Sequence, residues 1–391
     1  MKVVYLGPVS TDRLNKHLHF REGVPQIKRQ YAFGSDLVLG LMKAGFHVSV
    51  VVGSVDVNEL RVFHSDNCDI WIFPERKYRY QYPTLYYKEV RAMRECIEAI
   101  TPDVCIANWT YQYARAAVTS RCPAIVIARD SSWRCLVLMR TWTMLFRCFY
   151  SQLFVFPKIR HLVTISPHMV KELRRFNLYS GEIDVIANGI GNWIDETCGK
   201  EIRPKAKTIL CVSEWNKLKN TTTLMKAFAL LSEKHPDWRL IMVGNCLDRN
   251  GAYAWANKHS VSTKNIIFMG LQTQSEIRRL MIEEADVFCS PTLEESLGMV
   301  FLEAMSCGCP CVGGNKSGAV PWVLNNGNAG ILTDVKNYVT LAHDIEKLML
   351  DHKRRRELST AAFMHIKNNF MLDDLIARYA DKIREVVNAK N

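Results

Sequence analysis

Two glutamates eight residues apart, Glu295 and Glu303, flank a glycine in the stretch SPTLEESLGMVFLEAMSCGCPCVGG (290–314). Ser290-Pro291 closes an apolar run, Glu295 falls in the loop that follows, and Gly298 opens a helix. The first amides of a helix lack internal partners and the helix dipole adds positive potential there, so this helix start suits an anion. Glu303 comes five residues later, about 7.5 Å along the axis at roughly 1.5 Å per residue. One carboxylate therefore precedes the anion site and one lies beyond it. Carboxylates are good acceptors for vicinal hydroxyls. That layout fits a nucleotide-sugar: Glu295 on the hexose, backbone amides near 298–300 on the diphosphate, Glu303 on the ribose. The donor-binding segment is then Ser296, Leu297, Gly298, Met299, Val300 and Glu303. Taken alone, either glutamate reads as a solvated charge at a helix start.

Such a site needs strands that end together and helices that start above them. The first half supplies KVVYLG (2–7), a polar loop to about residue 29, a helix near 31–44, then FHVSVVVG (46–53), DIWIFP (69–74), DVCIA (103–107), AIVIA (124–128) and HLVTIS (161–166). Helices fall near 88–100 and 111–120, and DVIANGI (184–190) closes the half. ETCGKEIRPKAK (196–207) is polar and reads as a linker. The second half repeats the grammar with TILCVSE (208–214), a helix at 221–233, RLIMVGN (239–245), NIIFMG (265–270), a helix at 274–284, ADVFCSP (285–291), a helix from Gly298 to Cys307 and CPCVGG (309–314). Helices at about 339–350, 352–367 and 372–388 end the chain, the last with a stripe through Leu375, Ile376, Tyr379 and Ile383. Short continuous apolar runs alternating with helical periods indicate parallel sheets covered on both faces. The expected fold class is α/β, with two doubly wound Rossmann-like domains facing a cleft. The domains span 1–195, joined by the terminal helix at about 370–391, and 205–369. Ligands in such folds bind beyond the carboxyl ends of the strands.

Composition narrows the partners. The 391 residues are 48% hydrophobic and 23% charged, which excludes disorder. Lys+Arg 51 against Asp+Glu 39 leaves +12, favouring an anionic partner: nucleotide phosphates, an acidic membrane face or nucleic acid. No nucleic-acid module is present. Thirteen cysteines are too sparse for a disulfide scaffold. Cys307, Cys309 and Cys311 have a spacing that would align them on one strand face, a poor geometry for zinc, so buried reduced thiols in a reducing, cytoplasmic compartment are expected. MKVVYLGPVS lacks the features of a signal peptide and reads as a first strand. Residues 135–157 are apolar and aromatic, but Arg140 and Arg147 interrupt them. With Arg134 they suit either one amphipathic helix with a cationic side, lying on an anionic bilayer, or a core helix.

The 290–314 stretch resembles the donor site of retaining glycosyltransferases of family 4, which have the glycosyltransferase-B fold. Their pattern is Pro-Ser-x-x-Glu-Gly-Phe-Gly, then Glu-Ala-Met-Ala-x-Gly-x-Pro-Val-Val. Here it reads Pro291-Thr292-Leu293-Glu294-Glu295-Ser296-Leu297-Gly298 and Glu303-Ala304-Met305-Ser306-Cys307-Gly308-Cys309-Pro310-Cys311-Val312. Gly318-Ala319-Val320-Pro321, Asn326-Gly327, Ile165-Ser166, Asn188-Gly189-Ile190, Lys219-Asn220, Val243-Gly244 and Phe268-x-Gly270 extend the likeness along most of the chain. The resemblance implies Lys219 on the donor diphosphate, with Gly244, Phe268 and Gly270 flanking the nucleotide base and Asn188 ending the first domain at the donor. A compact ammonium suits a departing pyrophosphate.

Two positions depart from the family. Glu214 stands where an arginine usually clamps the diphosphate, leaving Lys217 or Arg129 to supply that charge. Arg129 stands where the family often has histidine, and an arginine cannot act as a base. It can stabilise the diphosphate, or pair structurally with Asp130 or another acid. The catalytic set is then Lys219, Glu295 and Arg129. The loop from Gly7 through Phe20, with Arg13, Lys16, His17 and His19, suits phosphate or acceptor hydroxyls, although each histidine alone reads as a surface residue. With no Asp-x-Asp string, no metal and no other cofactor are expected. The implied reaction is retaining, metal-independent hexosyl transfer from a nucleotide-sugar, UDP or GDP in preference to ADP, to a glycan or lipid-linked acceptor. It passes through an oxocarbenium-like state, and the leaving phosphate helps deprotonate the acceptor. The alternatives are a nucleotide-sugar-binding protein or inactive partner subunit, and an epimerase of the same fold.

Overall fold

The computed structural model describes residues 1–27, 31–191, 194 and 207–389. The chain forms two compact units, Met1–Ala187 with Asp373–Asn391, and Asn188–Leu372. The expected linker at 196–207 lies, except for Lys207, outside the described residues.

Among the described residues the first unit contains β1 (Lys2–Leu6), β2 (His47–Ser54), β3 (Arg61–His64), β4 (Cys68–Pro74), β5 (Val104–Asn108), β6 (Ala124–Ala128), β7 (His161–Thr164) and β8 (Ile183–Val185). They lie in the order β3-β4-β2-β1-β5-β6-β7-β8. All pairings are parallel except β3 against β4. Val3, Val4, Tyr5 and Leu6 are all buried, as are Val104 to Ala107, because helices cover both faces. The order reverses direction between β1 and β5, and at such a switch point the flanking connections diverge and leave a crevice. The terminal helix Leu372–Asn388 belongs mainly to this unit. Its Ile376 packs so closely on Gly40 that a Cβ there would come within 2.6 Å of it.

The second unit contains β9 (Thr208–Val212), β10 (Arg239–Val243), β11 (Ile266–Gly270), β12 (Ala285–Ser290), β13 (Cys311–Gly314) and β14 (Ile331–Thr333). The sheet runs β11-β10-β9-β12-β13-β14 and every pairing is parallel. This is the order of a dinucleotide-binding sheet, with its switch point between β9 and β12. Phe228, Leu224 and Leu231 of the helix Thr221–Lys234 bury themselves on one face beside Leu341 and Ile345. Full burial of a ring such as Phe228 contributes roughly 2–3 kcal/mol. The α/β, doubly parallel-sheet class is thus the one expected.

Several local expectations need correction. Residues 135–157 are not one amphipathic helix. They form two, Ser132–Met139 and Trp142–Phe154, because Arg140 turns left-handed (φ 53°) and the Thr141 hydroxyl caps the second helix at Met144 N. The polar loop after β1 contains a helix, Thr11–His17, capped by Ser10. β3 and β14 were not foreseen, nor was the helix Pro167–Phe176. Of the run 184–190 only Asp184 and Val185 lie in a strand, β8. Cys307, Cys309 and Cys311 do not share a strand face: Cys307 ends a helix, Cys309 lies in the turn and only Cys311 enters β13. All three are buried free thiols.

Candidate functional site

The loops after β9 and β12 meet at the switch point of the second unit, and short polar side chains tie them together. Asn220, itself left-handed (φ 52°), donates through Nδ2 to Pro291 O (3.1 Å) and Val335 O (2.8 Å). Leu293 N donates to Leu218 O at 2.8 Å, and the Ser317 hydroxyl donates to Thr292 O at 2.6 Å. Lys219 N is held by Asn216 Oδ1 at 2.9 Å. The Glu295 carbonyl accepts from Ala319 N at 2.9 Å. Gly318 is required beside it: its φ is +63°, and a Cβ there would lie 2.3 Å from Glu295 O. The outcome is that Lys219 Nζ sits 2.5 Å from Glu295 Oε1, with the side chains 25% and 13% exposed. Two of the expected residues are thereby brought together. A charge-assisted contact this short holds both groups at the crevice.

Gly298 (φ 92°) starts the helix Met299–Ser306, and no side chain caps that start. Phe301 N closes the first turn on Gly298 O at 3.0 Å, which leaves the amides of residues 298–300 as the donors an anion could use. The helix packs through Phe301, Leu302, Ala304 and Met305, which are buried. Glu303 is half-buried on the same helix, and burial pushes its carboxyl up to about 7. No hydrogen-bond partner for that carboxyl occurs among the described residues. Glu295 and Glu303 are thus distinct in environment, one ion-paired and one desolvated. Leu297 is buried, so the segment 296–300 offers mainly backbone.

On the other side of β9, the strand ends interlock through backbone. Gly244 N donates to Gly270 O at 2.8 Å, and a Cβ on Gly244 would lie 1.6 Å from Ser213 O. Phe268 packs its ring against the core and Tyr253, at 6.0 Å between centroids. Lys217 is exposed on the same loop as Lys219. Glu214 is exposed too and accepts from Asn216 Nδ2 at 3.3 Å. Asn188 is buried at the start of this unit, and the adjacent Gly189 lies against Leu372.

In the first unit, Gly7 and Asn108 meet at the switch point between β1 and β5, where a Cβ on Gly7 would come within 2.8 Å of Asn108 Cβ. Arg129, only 5% exposed, donates through Nε to Asn108 Oδ1 at 2.7 Å. Its guanidinium also lies over the rings of Phe33 (4.7 Å) and Tyr31 (5.7 Å). Burial opposes its charge, but the phenols of Tyr31, Tyr379 and Tyr5 offset that, and its pKa is raised overall. Asp130, the acid considered for Arg129, instead accepts from the Tyr111 hydroxyl at 2.9 Å. Sequence reasoning missed Asn108 and the tyrosine cluster, which lie far apart in the chain and follow no motif. Of the polar loop residues, Arg13 pairs with Asp36 at 2.7 Å, and Lys16, His17 and His19 are exposed. A cavity of about 630 Å³, lined by Arg121, Lys158, Arg160 and His161, opens at the amino ends of β6 and β7, away from the carboxyl ends that carry these residues.

Residues 33–189 match a family model described as Glycosyl transferase 4-like domain, and residues 196–364 match Glycosyl transferases group 1. The chain belongs to the family-4-type glycosyltransferases. The chain is 25% identical over 193 residues to N-acetyl-alpha-D-glucosaminyl L-malate synthase of Bacillus anthracis, covering 48% of this chain and 49% of the relative. The chain thus spans about half the length of the curated relatives it matches, or less. Its fold is that of sucrose-phosphate synthase (tll1590) from Thermosynechococcus elongatus, with TM-score 0.78, 17% identity and 100% of both chains covered. Anabaena Alr3699/HepE in complex with UDP-glucose aligns with TM-score 0.66 and 17% identity, covering 98% of this chain and 100% of that one.

Proposed function

We propose that the protein moves a hexosyl group from a nucleoside-diphosphate sugar to a glycan or lipid-linked acceptor, with retained configuration and without a divalent metal. The observation that carries this reading is the meeting of Lys219 and Glu295 at the β9/β12 switch point, beside the uncapped helix start at Gly298. In this reading the first-turn amides and Lys219 hold the diphosphate, and Lys217 adds a second positive charge where Glu214 cannot. Glu295 accepts from hexose hydroxyls and Glu303 from the ribose. The loop ends at Gly244, Phe268 and Gly270 frame the base. The donor C1–O bond to phosphate breaks as C1 bonds to the acceptor oxygen on the same face. The acceptor proton passes to a phosphate oxygen, so no side-chain nucleophile is needed. Cations and a helix dipole neutralise the leaving group as charge develops on it.

Kinship supports the donor class, since the Anabaena fold neighbour was solved with UDP-glucose. UDP or GDP is the proposed base. The first unit takes the acceptor, and its basic character suits a polyanionic or lipid-linked one at the cytoplasmic face of a membrane. The test is a panel of UDP-, GDP- and ADP-sugars, following nucleoside diphosphate release with and without chelator. Release from one donor, unaffected by chelator, is the expected result. Strict chelator sensitivity would refute metal independence, and no release with any donor would refute the transferase reading.

A second reading, a nucleotide-sugar-binding partner subunit, is favoured by two observations. Glu214 is exposed where the family carries a cation, and Arg129 is committed to Asn108 and aromatic rings. Tight binding of a nucleotide-sugar without turnover would select it.

A further inference from the structure

The helices Ser132–Met139 and Trp142–Phe154 form an antiparallel hairpin that springs from the carboxyl end of β6. Its base is marked by Ser132 Oγ, 3.3 Å from Ser151 Oγ, and by Trp133 against Phe149 at 5.9 Å. The turn at Arg140–Thr141 lies about nine helical residues from that base, roughly 13 Å at 1.5 Å per residue.

The second helix is apolar on two sides. One side packs inward: Phe146 on Tyr82 (4.8 Å), Tyr150 on Tyr86 (5.0 Å) and Phe154 under Arg115 (4.5 Å). Arg147 also turns inward, over Tyr111 at 4.9 Å. The adjoining side is open to solvent. Trp142 is 85% exposed, Phe149 50% and Leu153 64%, and Val137 and Met139 of the first helix are exposed beside them. Gln152 Nε2 donates to Asn177 O at 3.1 Å, and the next residue, Leu178, is 78% exposed. Large apolar side chains exposed together in this way mark an interaction surface, so this side needs a cover.

Charge identifies the cover. Residues 131–171 contain no aspartate or glutamate, whereas Arg134 and Arg140 lie on the first hairpin helix and at its turn. Arg140 is exposed at the turn. The first hairpin helix packs on Pro167–Phe176, whose Lys171, Arg174 and Arg175 are exposed. An apolar wedge led by tryptophan and rimmed by cations matches the boundary of an anionic bilayer. Among the described residues no helix is long and apolar enough to cross a membrane, so the contact is peripheral. We propose that this hairpin seats the protein on an anionic lipid surface, with Trp142, Phe149 and Leu153 at the acyl boundary and Arg140, Lys171, Arg174 and Arg175 on the head groups.

This proposal stands independently of the transfer reading, because its test needs no sugar. The full chain is floated with vesicles of phosphatidylcholine, alone or with one third phosphatidylglycerol. Binding is expected only to the phosphatidylglycerol vesicles and is weakened by salt. Trp142→Ser combined with Leu153→Ser should lower the floated fraction roughly tenfold. Arg140→Glu should lower it several-fold, with melting temperatures unchanged in both variants. Absence of the wild type from anionic vesicles at low salt would overturn the proposal. So would equal flotation of the variants, or light scattering showing that the double substitution dissolves a dimer, which would assign the face to a second copy.

Discussion

Lys219 and Glu295, 76 residues apart in the chain, form an ion pair of 2.5 Å across the loops that follow two neighbouring parallel strands. In the free protein each side chain holds the other at the crevice. In the proposed reaction a bound diphosphate competes for the same ammonium and leaves the carboxylate to sugar hydroxyls.

Removing the carboxylate therefore separates binding from chemistry. Glu295→Ala should lower turnover by about 10²-fold or more, as for other groups that position the reacting centre. Nucleoside diphosphate should bind as well as before or more tightly, because Lys219 is released. Lys219→Ala should weaken both. Calorimetry and turnover measured on the same preparations check this pattern, and loss of nucleotide binding in Glu295→Ala would contradict it.

Glu303 should make nucleotide-sugar binding depend on pH. Burial lifts its carboxyl from 4.5 to about 7, so it is protonated below that value and ionised above it. Only the ionised form accepts from both hydroxyls of a ribose, so affinity for a nucleotide-sugar should rise roughly tenfold between about pH 6 and pH 8. Glu303→Gln should flatten the profile. A nucleotide-sugar is the right ligand because its pyrophosphate stays fully ionised throughout.

The same shift bears on stability with a definite sign. Between 4.5 and about 7 the native state holds a proton that the unfolded chain has lost, so stability falls as pH rises through that window. The full effect is on the order of 3 kcal/mol. Glu303→Gln should melt higher than wild type at about pH 8, and the gap should close near pH 4. A gap independent of pH would show that the carboxyl titrates in its ordinary range.

Gly318 tests how firmly the Glu295 loop is held. A methyl group there meets Glu295 O at 2.3 Å and the backbone is left-handed, so Gly318→Ala should destabilise by about 1–3 kcal/mol. Turnover should fall further than the folded fraction does, because the loop carrying Glu295 must move. A variant with normal turnover would mean the loop adapts without displacing the carboxylate.

Arg129 distinguishes a structural cation from one that meets substrate. Its Nε donates to Asn108 and two rings pack on its guanidinium, so Arg129→Met should lower the melting temperature by several degrees, about 2–4 kcal/mol. Arg129→Lys cannot restore the planar contacts and should recover little of that loss. Full stability with lost turnover would instead place the group on the reacting phosphate.

Much of this architecture is legible along the chain because local signals carry it. Apolar runs without alternation mark strands covered on both faces, and Gly298 with Glu303 five residues later marks a helix start with a carboxylate on it. Lys219-Asn220 announces a helix because Asn tolerates the left-handed turn that starts it. What escapes are relations set by tertiary structure. The Lys219–Glu295 pair depends on β9 lying beside β12, and the Arg129–Asn108 bond on β6 lying beside β5. The break at Arg140 has only a weak local mark, a threonine three residues before the amide it caps. The short antiparallel β3 has too few residues to show a period.

In the proposed mode of binding a nucleotide-sugar lies across the β9/β12 switch point, with its pyrophosphate on the Gly298 helix start and one glutamate at each end. The decisive measurement is a crystal structure with an intact nucleotide-sugar. Lys219 is expected on the pyrophosphate, Glu295 on hexose hydroxyls and Glu303 on the ribose. A ligand bound elsewhere, or either carboxylate facing bulk water in that complex, would contradict it.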